Sequence, residues 1–162
     1  MAKLIYKKLT QEDIPVYLDL VEKMAVFEKL DDGLVATPEL VQKWIIEEEK
    51  LSVYLLEEEG TAIGYVCFFD NFSTFLSRPG LYLEDLFILP DYRGKGYGKK
   101  TLDWLAKIAV DRGYGRFEWI CLDWNQNAID FYERYGAEQQ KEWRIFRITG
   151  DKLKEIGGRY EE

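Results

Sequence analysis

Between an apolar run, Leu81 to Leu89, and a helix-like run opening near Gly98, the chain inserts Arg93-Gly94-Lys95-Gly96-Tyr97-Gly98-Lys99-Lys100. A strand that turns through three glycines into a helix commits this part of the chain to a βα unit. The same glycines let several backbone N–H groups converge, and the helix adds the positive end of its dipole. Four cations and no acid stand within these eight residues, although acidic residues outnumber basic ones 30 to 22 and the net charge is −8. A basic island of this kind suits a phosphate or pyrophosphate. A Walker A loop needs Ser or Thr after Gly98-Lys99, where Lys100 stands. A dinucleotide fingerprint needs a third glycine at Lys99 and a place beside the first strand. Arg-x-x-Gly-x-Gly, deep in the chain, is neither.

The rest of the chain predicts a mixed α/β sheet in a single domain spanning 1–162, with no linker, repeat or low-complexity tract. Leu4 to Tyr6 reads as a first strand, and Thr10-Gln-Glu-Asp13 as a capping box opening a helix with Val16, Leu20, Met24 and Phe27 inward. Thr37-Pro38-Glu39 starts a second helix whose inner face is Val41, Trp44 and Ile45. Ser52 to Leu56 and Ala62 to Phe69 form a hairpin around Glu57-Glu58-Glu59-Gly60. After the glycine turn come a helix to Arg112 (Leu102, Leu105, Ile108 and Ala109 inward) and a strand from Phe117 to Leu122. A short helix from Asn125 to Tyr135, closed by Gly136, and a last strand from Trp143 to Ile148 follow. The acidic runs Glu47 to Glu49 and Glu57 to Glu59 read as solvated faces. Phe68, Phe69, Phe72 and Phe75 read as core, with a dimer surface as the alternative.

The chain has no histidine. It therefore lacks the commonest general base, and Ser-His-Asp, Cys-His and His-metal chemistry are closed to it. Cys67 and Cys121 stand far apart, and two buried thiols are favoured over a single disulfide. No metal is implied. The acidic balance argues against nucleic acid and anionic membrane as partners and favours a small cationic molecule. No uncharged stretch approaches the ~20 residues that cross a bilayer, and the lysine-interrupted N-terminus has no apolar signal core. A cytoplasmic location is expected.

Arg93 to Gly98 resembles the acyl-CoA pyrophosphate loop of the GNAT acetyltransferase superfamily. Leu81-Tyr-Leu-Glu-Asp-Leu-Phe-Ile-Leu-Pro-Asp-Tyr-Arg93, Trp124-Asn-Gln-Asn-Ala-Ile-Asp-Phe-Tyr-Glu-Arg-Tyr-Gly-Ala137 and Phe27-Glu28 are similar to its diamine branch, the spermidine/spermine and thialysine acetyltransferases. The resemblance implies a GNAT fold, with a sheet splayed at the cofactor and acetyl-CoA as co-substrate. It also implies direct acetyl transfer to a primary amine of a small cationic acceptor, and a homodimer.

By this resemblance, Leu86, Phe87 and Ile88 offer backbone to pantetheine, and Arg93, Gly94, Lys95, Gly96, Tyr97, Gly98 and Lys99 hold the phosphates. Asn125 and Ala128 add cofactor contacts. Tyr132 is the general acid that protonates the departing thiolate, and Glu84 binds the amine and helps deprotonate it. Phe27, Glu28, Asn125 and Glu142 extend the acceptor site. Asp85 has only a supporting role, because neighbours in a regular strand point to opposite faces. Two alternatives remain: an acceptor that is an amino acid or a protein N-terminus, and an acyl-CoA-binding protein without transfer activity.

Overall fold

The β-favouring run Leu4-Ile5-Tyr6 lies in a strand, β1, Leu4–Lys8, which pairs antiparallel with β2, Ser52–Glu58. The structure is a computed structural model and describes residues 2–161. β2 turns at Glu59-Gly60 into β3, Thr61–Ser73, and β3 pairs antiparallel with β4, Arg78–Ile88. Among the described residues the one parallel pairing is of β4 with β5, Phe117–Trp119, reached through the helix α3, Tyr97–Asp111. Sheet order thus follows chain order, β1-β2-β3-β4-β5.

Both faces of the sheet are covered, so its central strands are apolar on both sides. One face carries Val53, Leu55, Tyr65, Cys67 and Phe87 against Tyr17, Leu20 and Val21 of helix α1, Ile14–Phe27. On the other face Trp104 of α3 stacks on Tyr6 at 4.1 Å between ring centres and meets Tyr54 and Phe68 edge-on.

Asp13 accepts hydrogen bonds from the Thr10 backbone N–H and hydroxyl, so the predicted capping box forms. It opens a short 3₁₀ turn, and the α-helix proper begins at Ile14. Its buried stripe is therefore Ile14, Tyr17, Leu20, Val21 and Ala25, while Val16 and Phe27, expected inward, are exposed. Helix α2, Pro38–Val41, is capped by Thr37, whose hydroxyl accepts from the Leu40 N–H at 3.2 Å. It continues as a π-helical segment over Gln42–Glu47, whose wider turns carry Trp44 out to solvent while Ile45 and Ile46 pack on the core.

The chain divides into two compact units, one ending at Trp124 and the other beginning at Asn125. The second contains α4, Gln126–Tyr135, closed by left-handed Gly136, and a helix not foreseen from the sequence, α5, Gly150–Gly157. The strand expected over Trp143 to Ile148 does not form. A strand needs a neighbouring backbone for its polar groups, and among the described residues no ladder includes this stretch. Its side chains are exposed, Phe146 to 92%. Two further corrections concern side chains. Phe72 and Phe75 are exposed rather than core, and Cys121 is exposed; both cysteines are free and Cys67 is buried as expected.

At the centre of the sheet the β3–β4 contact leaves no room at Gly64, where an added Cβ would lie 2.1 Å from the Phe87 carbonyl oxygen. Gly64→Ala should therefore destabilise the fold by about 3 kcal/mol. Thermal unfolding should show a midpoint lower by roughly 6–12 °C.

Candidate active site

β4 is paired with β3 from Arg78 to Ile88 but with β5 only from Leu81 to Leu83. Beyond Leu83 its second edge is uncovered by any strand among the described residues. The Leu89 N–H donates to Ile63 at 2.8 Å, so by the alternation of an antiparallel ladder Phe87 also turns its backbone toward β3. Leu86 and Ile88 turn theirs to the open edge. An extended, amide-bearing ligand can pair with such an edge as an added strand does. Of the three residues expected to offer backbone, Leu86 and Ile88 face the open edge, while the Phe87 carbonyl lies against Gly64.

That edge leads directly to the glycine turn. Pro90–Tyr92 forms one 3₁₀ turn, and Gly94 and Gly96 then take positive φ values of 77° and 81°. Gly96 is the N-cap of α3, so the opening N–H groups of a 15-residue helix face the turn. A Cβ at Gly94 or Gly96 would meet nothing within 4 Å, so the backbone there is open to a ligand. Converging N–H groups, a helix N-terminus and the cations Arg93, Lys95 and Lys99 are the donor set that a CoA pyrophosphate requires.

Arg93 is less simply placed. Its Nε donates to the Ile88 carbonyl at 2.8 Å, and its guanidinium lies 4.8 Å from the ring centre of Phe27 and 5.5 Å from that of Phe87. Trp124, not foreseen as part of the site, completes this wall: it lies 6.4 Å from Phe27 and carries the Lys29 ammonium at 4.7 Å. These are cation–π distances.

The adjacent acids Glu84 and Asp85 are set by a β-bulge. Across the ladder Cys67 pairs with Asp85 but Phe68 pairs with Leu83, so Glu84 is the inserted residue. In a regular strand Leu83 and Asp85 would share a face. Here Leu83 follows Phe68 to the α3 side and Asp85 follows Cys67 to the α1 side. The expectation from regular alternation is thereby corrected, because the bulge re-aims Asp85.

Asp85 is largely buried and accepts a hydrogen bond from the Tyr65 hydroxyl at 3.0 Å. Burial pushes its carboxyl above the usual range, with the bonds from Tyr65 and Cys67 acting in the opposite direction. Glu28, at the C-terminal end of α1, is also raised, first by burial and then by the charges of Asp85 and Glu84. The three carboxyls therefore form one electrostatic group in the first unit, with Phe27 beside it. A bound ammonium would relieve their mutual repulsion.

One acid outside this group belongs to the glycine turn. Glu58, expected to be solvated, has a side chain only 11% exposed and lies 3.3 Å from the Lys95 ammonium. It also accepts the Tyr97 hydroxyl proton.

The remaining predicted residues lie in the second unit. The Asn125 side chain caps α4, accepting from the Ala128 N–H at 3.2 Å. Tyr132 is half-buried on the same helix, its ring 5.5 Å from Phe131. Glu142 lies on the exposed stretch between α4 and α5.

The model of the Acetyltransferase (GNAT) family matches residues 18–137. The chain belongs to the GNAT acetyltransferase family. It is an N-acetyltransferase by that membership, and acetyl-CoA is its co-substrate. It is 35% identical to the L-ornithine N5-acetyltransferase NATA1 of Arabidopsis thaliana, over 91% of this chain and 85% of the relative. It is 30% identical to the thialysine N-epsilon-acetyltransferase of Sus scrofa, over 98% of this chain and all of the relative. Among solved structures, an integron cassette protein from the mobile metagenome of V. cholerae shares the fold, with a TM-score of 0.76 at 21% identity and coverage of 95% and 97% of the two chains.

Because the folded state raises the Asp85 carboxyl, its contribution to stability is fully present below the unfolded value, ~3.9, and is lost as pH rises through the higher folded value. Asp85→Asn keeps an acceptor for Tyr65 and removes the buried charge. It should be more stable than the parent at pH 8 by about 1 kcal/mol in urea unfolding. The difference should close toward pH 4.

Proposed function

We propose that this acetyltransferase moves an acetyl group directly from acetyl-CoA to a primary amine of a small dicationic acceptor, a polyamine, diamine or thialysine-like diamino acid. What supports the reading is the adjacency of Glu84 and Asp85 at the bulge of β4, with both charges felt at Glu28, in the unit that also holds β4's open edge. The named substrates of the two relatives support it, since L-ornithine and thialysine both carry a second, side-chain amine. An amino acid as acceptor falls within the same class. A protein N-terminus would present one ammonium rather than two.

In this reading Glu28 and Glu84 hold the acceptor's charges, and Asp85 deepens the negative potential from below. An alkylammonium of pKa ~10 is not nucleophilic until it loses a proton, and Glu84 carries that proton toward solvent. The amine nitrogen then bonds to the acetyl carbon as the C–S bond breaks. The Ile88 N–H, on the open edge, donates to the developing oxyanion, and the Tyr132 phenol gives a proton to the leaving sulfur and is reprotonated by the proton that the nitrogen sheds on becoming the amide. Leu86 and the glycine turn hold the donor in line, Asn125 and Ala128 supply the cofactor contacts expected of them, and positioning of donor and acceptor supplies much of the rate. Covalent catalysis through Cys67 is disfavoured, because burial holds its thiol well above the ordinary range.

CoA release should be rapid with spermidine, thialysine or ornithine, slow with a monoamine of equal length, and should rise with pH as the amine deprotonates. Equal rates on mono- and diamines would remove the dication reading. Tyr132→Phe should lower kcat about 100-fold while leaving CoA affinity within about 2-fold; equal losses in both would assign Tyr132 to packing.

A cytoplasmic homodimer completes the proposal. Exposed Phe72 near the end of β3, with Phe75 and Leu76 in the turn to β4, supports a self-contact. Light scattering should give twice the chain mass, and Phe75→Ser should shift it toward the monomer.

A further inference from the structure

We propose that Glu58 is a positioning residue for CoA binding, acting through Lys95 and Tyr97 to hold the glycine turn in its ligand-ready form. The inference rests on the reading of that turn as the pyrophosphate site. Glu58 is the last residue of β2, paired across the sheet with Leu4 and Thr61, so it stands on rigid backbone. From there one carboxylate meets two members of the turn, the Lys95 ammonium and the Tyr97 hydroxyl.

Tyr97 is the first residue of α3, and its ring is buried. Its carbonyl accepts from the Thr101 hydroxyl at 2.8 Å, and that hydroxyl lies 3.1 Å from the Tyr6 hydroxyl of β1. The first turn of the helix is therefore moored to β1 through Thr101 and to β2 through Glu58. In the segment just before it, Arg93 is tied to the Ile88 carbonyl and Lys95 lies over the Tyr92 ring, but Gly94 and Gly96 touch nothing where a side chain would be. A glycine-rich turn loses more conformational freedom on binding than any other, and ordering it beforehand lowers that cost.

The electrostatics agree with a mooring role. A carboxylate facing a phosphate site would by itself weaken it. Here the Tyr97 hydroxyl bond and the Lys95 ammonium hold Glu58 below the usual carboxylate range, and the Tyr97 phenol is correspondingly pushed up to about 12. Glu58 therefore stays charged, matched by its own partners, while the Tyr97 phenol stays protonated as the donor.

Titration calorimetry with CoA, which needs no turnover, tests this. Glu58→Ala removes both ties and should raise the Kd for CoA about 10-fold, the equivalent of one charge-assisted hydrogen bond. Glu58→Gln keeps an acceptor for the phenol and should cost about 2- to 3-fold, and Tyr97→Phe about 5-fold. In steady-state assays Glu58→Ala should raise the KM for acetyl-CoA by the same factor as the Kd, with kcat at saturation and the KM for the amine within about 2-fold.

Unchanged or tighter CoA binding by Glu58→Ala would overturn the proposal, since Glu58 would then be idle or merely a competitor for Lys95. Parallel loss of kcat and of both KM values in Glu58→Gln would also overturn it, by assigning Glu58 to general stability. Failure of the parent protein itself to bind CoA would instead remove the reading of the turn.

Discussion

One strand, β4, is held along its full length on one side and along three residues on the other, and the site follows from that inequality. β3 gives β4 rigidity, with Gly64 allowing so close an approach that the Phe87 carbonyl fills the space of a side chain. β5 departs after Leu83, and the backbone of Leu86 and the Ile88 N–H are left facing the open edge, the Ile88 carbonyl being taken by Arg93. Had β5 continued alongside, the same residues would have been ordinary sheet interior with every N–H and C=O engaged. The splay thus converts core backbone into a binding edge without exposing the apolar side chains beneath it.

Charge is segregated along the same strand. The bulge at Glu84 turns the Asp85 carboxyl to the α1 side, where Glu28 feels its charge and that of Glu84, while the turn after Ile88 gathers cations. The C-terminal half of β4 and the turn that follows it therefore present opposite potentials a few residues apart, one suited to an ammonium and the other to a pyrophosphate. Burial sharpens the negative end. Asp85 sits under Tyr65 and Tyr17 in a region of low polarity, so its carboxyl is raised and its charge, when present, acts over a longer range than at the surface.

Arg93 shows how the two ends are joined. Its guanidinium rests on Phe27 and Phe87 and its Nε on Ile88, so a residue of the phosphate turn touches the aromatic wall beside the acids. Cations already lie on these rings and on Trp124, which shows that the faces favour positive charge.

The sequence by itself determined the glycine turn, the βα unit around it, the hairpin before it and the helix caps at Thr10, Thr37 and Asn125, because these depend on neighbours within a few residues. It also carried the family, through motifs whose spacing is local. It determined less about facing: the 3₁₀ start of α1 and the π-helical segment rotated Val16, Phe27 and Trp44 away from the expected side. Only the tertiary structure decided the bulge at Glu84, since an inserted residue is defined by the partner strand, although an acidic pair within an apolar run was a signal that the strand is irregular. The same holds for Glu58, which lies 37 residues from Lys95 and reads as a solvated turn until β2 is laid beside α3. The stretch from Trp143 to Ile148 gives the complementary lesson. Its pattern is that of a strand, but a pattern supplies only side chains, and a strand exists only where another backbone takes its hydrogen bonds.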